Sequence, residues 1–496
     1  MSSSIHDTEI AAPIQGVSWN EEDWQGMLKR LPSNWQEQAV KLKAWQRVRK
    51  LAHVTDLLRA LLVYAACGYS FRQLGLWATL VGVGCLSERA WRKRVERAQE
   101  WIGWLLGALI GSQASPGWLP SISGRILLVD ASRLKVPAGS GDDVRMHCAY
   151  DLQAGRLVQV EVTDRHNAEG LHHFALRKGD VAVTDAGYQL GTSVQQGQAQ
   201  GAYGVHRVSN HQVRLEREDG KKIDLKRLVK HQKYGSVSEY RVWVWDAKHH
   251  ERFEVRLVIA LLPRKQAMQA RARKQERIRH KKGSKANLAP AWWAGVMIIG
   301  TTLPQEIWSA QDVVKLYRAR WQIELLFKRL KQGLQLHLLP VKLWERAQAY
   351  VHLCLIVWSL QEQEAQALSE LLAGLLNEPE VGQQDEPVED EPEQPIWVIS
   401  HWGLARCELE TLQTLLRGSW TRQRLRDCLP ALQRYLVSRQ REKRLSQETE
   451  VQHWLLQQLG LPEKEASLPK VRAYGGLPLY RRTRRMRRMR RANQSG

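Results

Sequence analysis

YRARWQIELLFKRLK, residues 317–331, is the stretch on which the reading of this 496-residue chain turns. It holds no Gly or Pro, and Leu316, Ile323, Leu326 and Leu330 recur at helical spacing. That spacing predicts a helix starting near Ser309 and ending by Gly333. On one continuous helix Tyr317, Arg320, Glu324 and Lys331 fall within a sector of roughly 60°. A phenol, a guanidinium, a carboxylate and an ammonium along one stripe suit a phosphodiester. The acid can hold a metal while the bases hold phosphate oxygens. A solvated, salt-bridged helix face would show the same residue types, and Glu324 with Lys328 forms such a pair. The choice between the two rests on whether the chain supplies further carboxylates.

Two are candidates. Asp130 follows the apolar run 126–129, and Asp185 follows 181–184; both read as acids closing short buried strands. Burying an unpaired carboxylate costs on the order of several kcal/mol. Such an acid is therefore either a turn-forming cap or a group held for chemistry, and for each Asp alone the two readings stand level. Gly187 makes a turn after Asp185 cheap. Asp130, Asp185 and Glu324 together would bind one or two divalent cations. Oxygen-only ligands select Mg²⁺ or Mn²⁺ over zinc. Two such ions about 4 Å apart would serve an in-line phosphoryl displacement.

Composition narrows the partner. Lys and Arg number 74 against 51 Asp and Glu, a formal charge of +23. That excess calls for a polyanion, and nucleic acid is favoured over membrane because no amphipathic anchor accompanies it. The six cysteines are scattered without a CxxC pair, which argues against a disulfide framework or a zinc site and fits a reducing compartment. The N-terminus lacks the basic and apolar regions of a secretory signal. The longest apolar runs, near 57–66 and 353–360, are too short to span a bilayer. The expectation is a soluble, cytoplasmic protein.

Along the chain, residues 1–118 read as helical: 20–31, 35–49, 55–66, then FRQLGLWATL, a glycine turn at 81–84, and Ser87 capping a basic helix. Helix, turn and capped basic helix outline a helix-turn-helix, with Arg89, Arg92, Lys93, Arg94 and Arg97 as candidate DNA contacts. An ordinary helical bundle with a basic face has the same outline. From Pro120 the period changes to two. A strand over 125–137, a hairpin around 153–155, a short helix stopped by Gly179 and a strand over 180–184 follow. Residues 190–305 read as an inserted β-rich module of antiparallel strands. A basic run, KQAMQARARKQERIRHKKGSK, offers Arg271, Arg273 and Lys274 as DNA-backbone contacts or a solvated linker helix. Residues 119–370 are taken as one catalytic domain. Beyond it lie an acidic, Pro-rich linker at 371–396, a helical unit at 397–475 and an Arg-rich tail at 476–496.

These parts resemble a bacterial insertion-sequence transposase of the DDE class, and most nearly the family named after insertion sequence four. The spacing of Tyr317, Arg320, Glu324 and Lys331 matches the family's Y-R-E-K signature, with Trp321 and Phe327 also in place. LLVDAS resembles its first acidic motif and TDAGYQ its second. Gly300 to Pro304 stands where the family often carries an Asn, and Ala186 where it often carries an Arg. The resemblance spans roughly residues 20–360. It implies an α/β fold: an RNase H-like core, a mixed sheet flanked by helices with a β-rich insertion, beside a helical N-terminal DNA-binding domain. It implies Asp130, Asp185 and Glu324 as catalytic ligands of two Mg²⁺, with Tyr317, Arg320 and Lys331 gripping phosphates. The implied partner is double-stranded DNA, transposon ends and target, bound by a homodimer in a synaptic complex. Two rival readings remain: a regulatory DNA-binding protein that does not cleave, and a structure-specific nuclease.

Overall fold

The computed structural model describes residues 21–46, 51–80, 83–111, 124–137, 144–209, 213–246, 250–283, 287–337, 339–341, 343–377, 397–399, 403–405, 409, 412–413 and 437–439. The glycine turn at 81–84 is described only from Val83 onward.

Six helices open the described chain: α1 (Glu21–Leu28), α2 (Trp35–Lys41), α3 (Val54–Ala66), α4 (Phe71–Leu80), α5 (Glu88–Arg97) and α6 (Gln99–Gly111). The helix expected over 35–49 stops at Lys41; Lys43 then takes a φ of 60°, a left-handed turn that reverses the chain. Nine residues of α3 are buried, so it is a core helix rather than a surface one. The basic helix after Ser87 is split at Ala98 into α5 and α6. The Trp35 and Trp101 rings stack at 6.1 Å, and the Trp101 indole N–H donates to the Trp35 carbonyl at 2.9 Å.

Nine strands form one mixed sheet: β1 (Ile126–Leu134), β2 (Val144–Asp151), β3 (Arg156–Thr163), β4 (Val181–Thr184), β5 (Tyr203–Arg207), β6 (Leu215–Glu216), β7 (Val237–Asp246), β8 (Glu251–Leu261) and β9 (Val296–Thr301), in the order β3-β2-β1-β4-β5-β9-β8-β7-β6. β1, β4 and β5 run parallel; the other pairings are antiparallel. Period two explains why both faces of β1 are apolar. Ile126 and Leu128 enter one core cluster, shared with the helices, while Leu127 and Val129 enter a second on the opposite face.

Two sequence expectations change here. The helix read over 168–179 is only a 3-10 turn at Leu171–His173. Its apolar residues, Leu171, Phe174 and Leu176, cover the sheet as a packed loop instead. Within the β-rich region 190–305, one strand departs from the expected antiparallel pattern. β5 joins the parallel core after α7 (Leu190–Ala199), the crossover that parallel strands require. β6, β7 and β8 then extend the same sheet through β9, accompanied by α8 (Leu225–Lys230) and α9 (Arg264–Lys282).

Three helices follow: α10 (Ala310–Arg318), α11 (Trp321–Gly333) and α12 (Trp344–Asn377). α12 packs against α3, α5, α6 and β3, joining the N-terminal helices to the sheet. It runs to Asn377, so residues 371–377 of the expected linker are helical; 378–396 lie outside the described residues, as do the tail at 476–496 and most of 397–475. Within that last region two strands are described, β10 (Trp397–Ile399) and β11 (Val437–Arg439), paired antiparallel where helix was expected. Among the described residues no helix is long and apolar enough to cross a membrane.

Candidate active site

The register of two strands builds the site. Val129 pairs with Thr184 across the parallel β1–β4 ladder, so Asp130 and Asp185, each one residue further on, stand side by side. Strand spacing there is about 4.8 Å, and parallel partners point to the same face. That face is the one carrying Ile126, Leu128, Val181 and Val183 toward the helices. Asp130 does not close its strand, as the sequence suggested: β1 continues to Leu134 against β2. It is β4 that ends, at Thr184, leaving the second half of β1 without its parallel neighbour. Asp130 therefore faces a notch in the sheet from mid-strand, a position no reading of a single strand distinguishes.

The helix expected from 309 to 333 is broken. α10 ends at Arg318 and α11 begins at Trp321. Across the break the backbone tightens to i→i−3 bonds, Ala319 to Leu316, Arg320 to Tyr317 and Gln322 to Ala319. Tyr317 and Glu324 thus sit on two helices and do not share one stripe. Arg320 caps the second helix at the bend. One η-nitrogen donates to Asp130 Oδ2 at 3.2 Å and the other to Glu324 Oε1. Its guanidinium lies 5.8 Å from the Tyr317 ring centre, and the Arg207 guanidinium lies 5.8 Å from the same ring. Burial raises the Tyr317 phenol pKa. Lys331, half-buried near the end of α11, has its ammonium pKa pulled down by burial.

Ser309 holds α10 in place through a reciprocal capping box. Its Oγ accepts from the Asp312 N–H at 3.2 Å, and Asp312 Oδ2 accepts from the Ser309 N–H at 3.2 Å. Ser309→Ala is expected to cost about 1 kcal/mol. A melting temperature unchanged within error would contradict that role.

Like charge dominates the electrostatics. Burial, then the neighbouring Asp185, push the Asp130 carboxyl up to about 7, although the Ala131 N–H and Arg320 oppose the shift. Glu169 contributes to it as well, and is itself raised by burial and by Asp185. Its carboxylate lies against Gly187: a Cβ there would come within 2.1 Å of Glu169 Oε2 and 3.0 Å of Asp185 Oδ1. The Gly187 N–H donates to Asp185 Oδ1 at 2.8 Å. Behind them the Tyr188 hydroxyl is buried without a hydrogen-bond partner among the described residues, its pKa raised by burial and then by Asp130, Glu169 and Asp185. Sequence reading missed Glu169 and Arg207. Glu169 lies in a loop without periodicity, and nothing local marks it; Gly187 and Tyr188 stood in the quoted TDAGYQ run.

Crowded carboxylate oxygens of this kind fit a hard divalent cation, whose charge would relieve their mutual repulsion. The arrangement is an open one. Among the described residues no three His, Cys, Asp or Glu side chains close on a common ion-sized point, and Arg320 stands between Asp130 and Glu324.

The outlying candidates divide. Arg89, Lys93 and Arg97 are exposed along α5, opposite buried Trp91 and Val95. Arg92 pairs with Glu88 at 2.7 Å and Arg94 is half-buried. Arg273 and Lys274 are exposed on α9. Arg271 is engaged within the protein: it donates to the Trp292 carbonyl at 3.0 Å and to the Tyr234 hydroxyl at 3.1 Å, its guanidinium lying over both rings.

Residues 122–360 match the family model described as the transposase DDE domain. The chain is similar to the putative transposase InsL for insertion sequence element IS186A of Escherichia coli (strain K12), 29% identical over 341 residues, covering 68% of this chain and 92% of that protein. It is equally similar, 29% over 342 residues with the same coverage, to the transposase for insertion sequence element IS421 of Escherichia coli. A third relative, the transposase for IS231B of Bacillus thuringiensis subsp. berliner, is 26% identical over 244 residues, 43% of this chain and 50% of that protein.

Proposed function

We infer that this chain, whose residues 122–360 match the transposase DDE domain, is a DNA transposase resembling those of the insertion-sequence-four family. It binds the terminal inverted repeats of its element, cleaves them and transfers the freed strand ends to a target duplex. The five strands in the order β3-β2-β1-β4-β5, with β2 antiparallel and β4 and β5 parallel to β1, support reading the sheet's core as RNase H-like. Helices α1–α6 would form a DNA-binding domain, with Arg89, Lys93 and Arg97 facing the duplex. Two copies, one per transposon end, would make the synaptic complex, acting in the cytoplasm.

The observation that carries this reading is the register placing Asp130 beside Asp185, with Arg320 linking that pair to Glu324. Asp130, Asp185 and Glu324 would hold two Mg²⁺ or Mn²⁺. Those ions, when bound, supply Lewis-acid activation of water or a 3′-OH and stabilise the leaving oxygen. The chain's own groups do the rest. Arg320, Tyr317 and Lys331 would hold the phosphate oxygens flanking the scissile bond and fix it in line for displacement. Arg207, stacked on Tyr317 and tied to the Val296 carbonyl at 3.0 Å, keeps the phenol from turning away. Tyr188 and the loop bearing Glu169 wall the carboxylates on the side away from α11, limiting water there.

The test is nicking of a duplex carrying the inverted repeats that flank the reading frame. Divalent-dependent nicking at the repeat boundary is expected. Binding without any nicking would favour the regulatory protein, and nicking indifferent to the repeats would favour the nuclease.

A further inference from the structure

We propose that the outer half of α9, residues 272–282, is a cantilevered arm that grips duplex DNA backbone without regard to sequence, separately from the groups that recognise and cut the ends. The proposal rests on the reading of this chain as a DNA transposase.

The inner half of α9 is anchored. Ala267 is fully buried against the 3-10 segment Ala289–Gly295, where a Cβ at Gly295 would come within 2.8 Å of the Ala267 Cβ. One helical turn on, Arg271 is clamped between Tyr234 and Trp292. From Ala272 to Lys281 no residue is buried, and the shallow concavity along that stretch is lined by α9 residues alone. An amphipathic surface helix buries a stripe; this half buries none of its described residues. Its charge is one-sided: Arg273, Lys274, Arg277, Arg279, Lys281 and Lys282 against Glu276. Such like-charge crowding lowers the stability of an isolated helix and is relieved by a polyanion. Eleven residues span about 16 Å at 1.5 Å per residue, enough to cross the roughly 12 Å major groove and reach phosphates on both of its walls. The run also holds Gln275 and His280, but its cations are spread round the helix at about 100° per residue, which suits phosphates on both walls better than one aligned row of base edges.

The experiment uses the full chain and two duplexes, one with the terminal repeats and one without. The triple variant Arg273→Glu, Lys274→Glu, Arg277→Glu is compared with wild type by fluorescence anisotropy over a range of KCl. Each lost phosphate contact reduces the log–log salt slope by about 0.9, so a slope shallower by roughly 2–3 is expected on both duplexes alike. Glu276→Lys, which disturbs nothing packed, is expected to steepen the slope by about 1. The melting temperatures of both variants should match wild type, since no buried contact changes. Unchanged slopes in both variants, or a loss confined to the repeat-bearing duplex, would overturn the proposal. Failure of the wild-type chain to bind either duplex would instead remove the transposase reading itself.

Discussion

Asp130→Asn, Asp185→Asn and Glu324→Gln are each expected to lower strand cleavage by more than about a hundredfold while leaving DNA-end binding largely intact. The cause is electrostatic. The carboxylates on β1 and β4 are crowded by strand register, and each amide variant keeps the shape while removing a charge that a cation needs. Asp130 supplies the control for a purely structural role. Its folded-state value near 7 lies above the unfolded one of about 3.9, so the ionised side chain is a burden on the fold. The sign follows: stability from this group is present below the unfolded value and declines as pH rises toward 7, where the carboxylate is forced to ionise beside Asp185. Asp130→Asn removes that repulsion, while the bonds from Arg320 at 3.2 Å and from the Ala131 N–H at 2.8 Å weaken in exchange. At pH 8 without divalent metal, its melting temperature should equal or exceed that of wild type. Inactivity with a marked fall in melting temperature would make Asp130 a structural residue. Retained cleavage would remove it from the catalytic set.

Asp180→Ala is expected to destabilise the protein by about 3–5 kcal/mol, the cost of stranding a buried charge. Asp180 is 0% exposed and Arg125 6%. One carboxylate oxygen accepts from the Arg125 backbone N–H at 2.8 Å. The other accepts from the Arg125 side chain at 2.6 Å and from the Arg177 N–H at 2.9 Å. Arg125 immediately precedes β1 and Asp180 immediately precedes β4. The clamp therefore pins the register that, five residues further along each strand, sets Asp130 beside Asp185. For a domain of this size the loss corresponds to a melting-temperature drop of roughly 10 °C. Calorimetry of Asp180→Ala beside Asp180→Asn, which retains some of the acceptors, should show the smaller drop for Asn. A fall of only a degree or two in Asp180→Ala would mean the pair is not what holds the strands.

Much of this was legible in the residues. The short unbroken runs 126–129 and 181–184 announce strands because buried parallel strands need both faces apolar. The acids after those runs stand out because apolar strands do not tolerate charge without a reason. The basic excess names a polyanion, since no arrangement of 74 cations and 51 anions neutralises itself. The misreadings have physical causes too. Residues 168–179 look helical because Gly170 and Gly179 bracket an apolar stretch, yet Leu171, Phe174 and Leu176 gain more by lying flat on the sheet. The break at Ala319 and Arg320 is invisible in propensity, because neither residue disfavours helix. Tertiary contacts bend the chain there, including the pull of Asp130 on Arg320.

The sequence by itself determined which groups this protein has available: an acid after each of two core strands, a Tyr-Arg-Glu-Lys series, a basic helix and a cationic whole. Local pattern suffices for that, because period and composition are properties of neighbours in the chain. Only the tertiary structure decided what those groups meet. Glu169 joins Asp185 across the gap left by a glycine, Arg207 stacks on Tyr317 from a parallel strand, and Arg271 turns inward while the residues beyond it stay exposed. Each of these depends on strand register and on packing between segments distant in the chain, set by the burial of whole faces rather than by any one residue's preference.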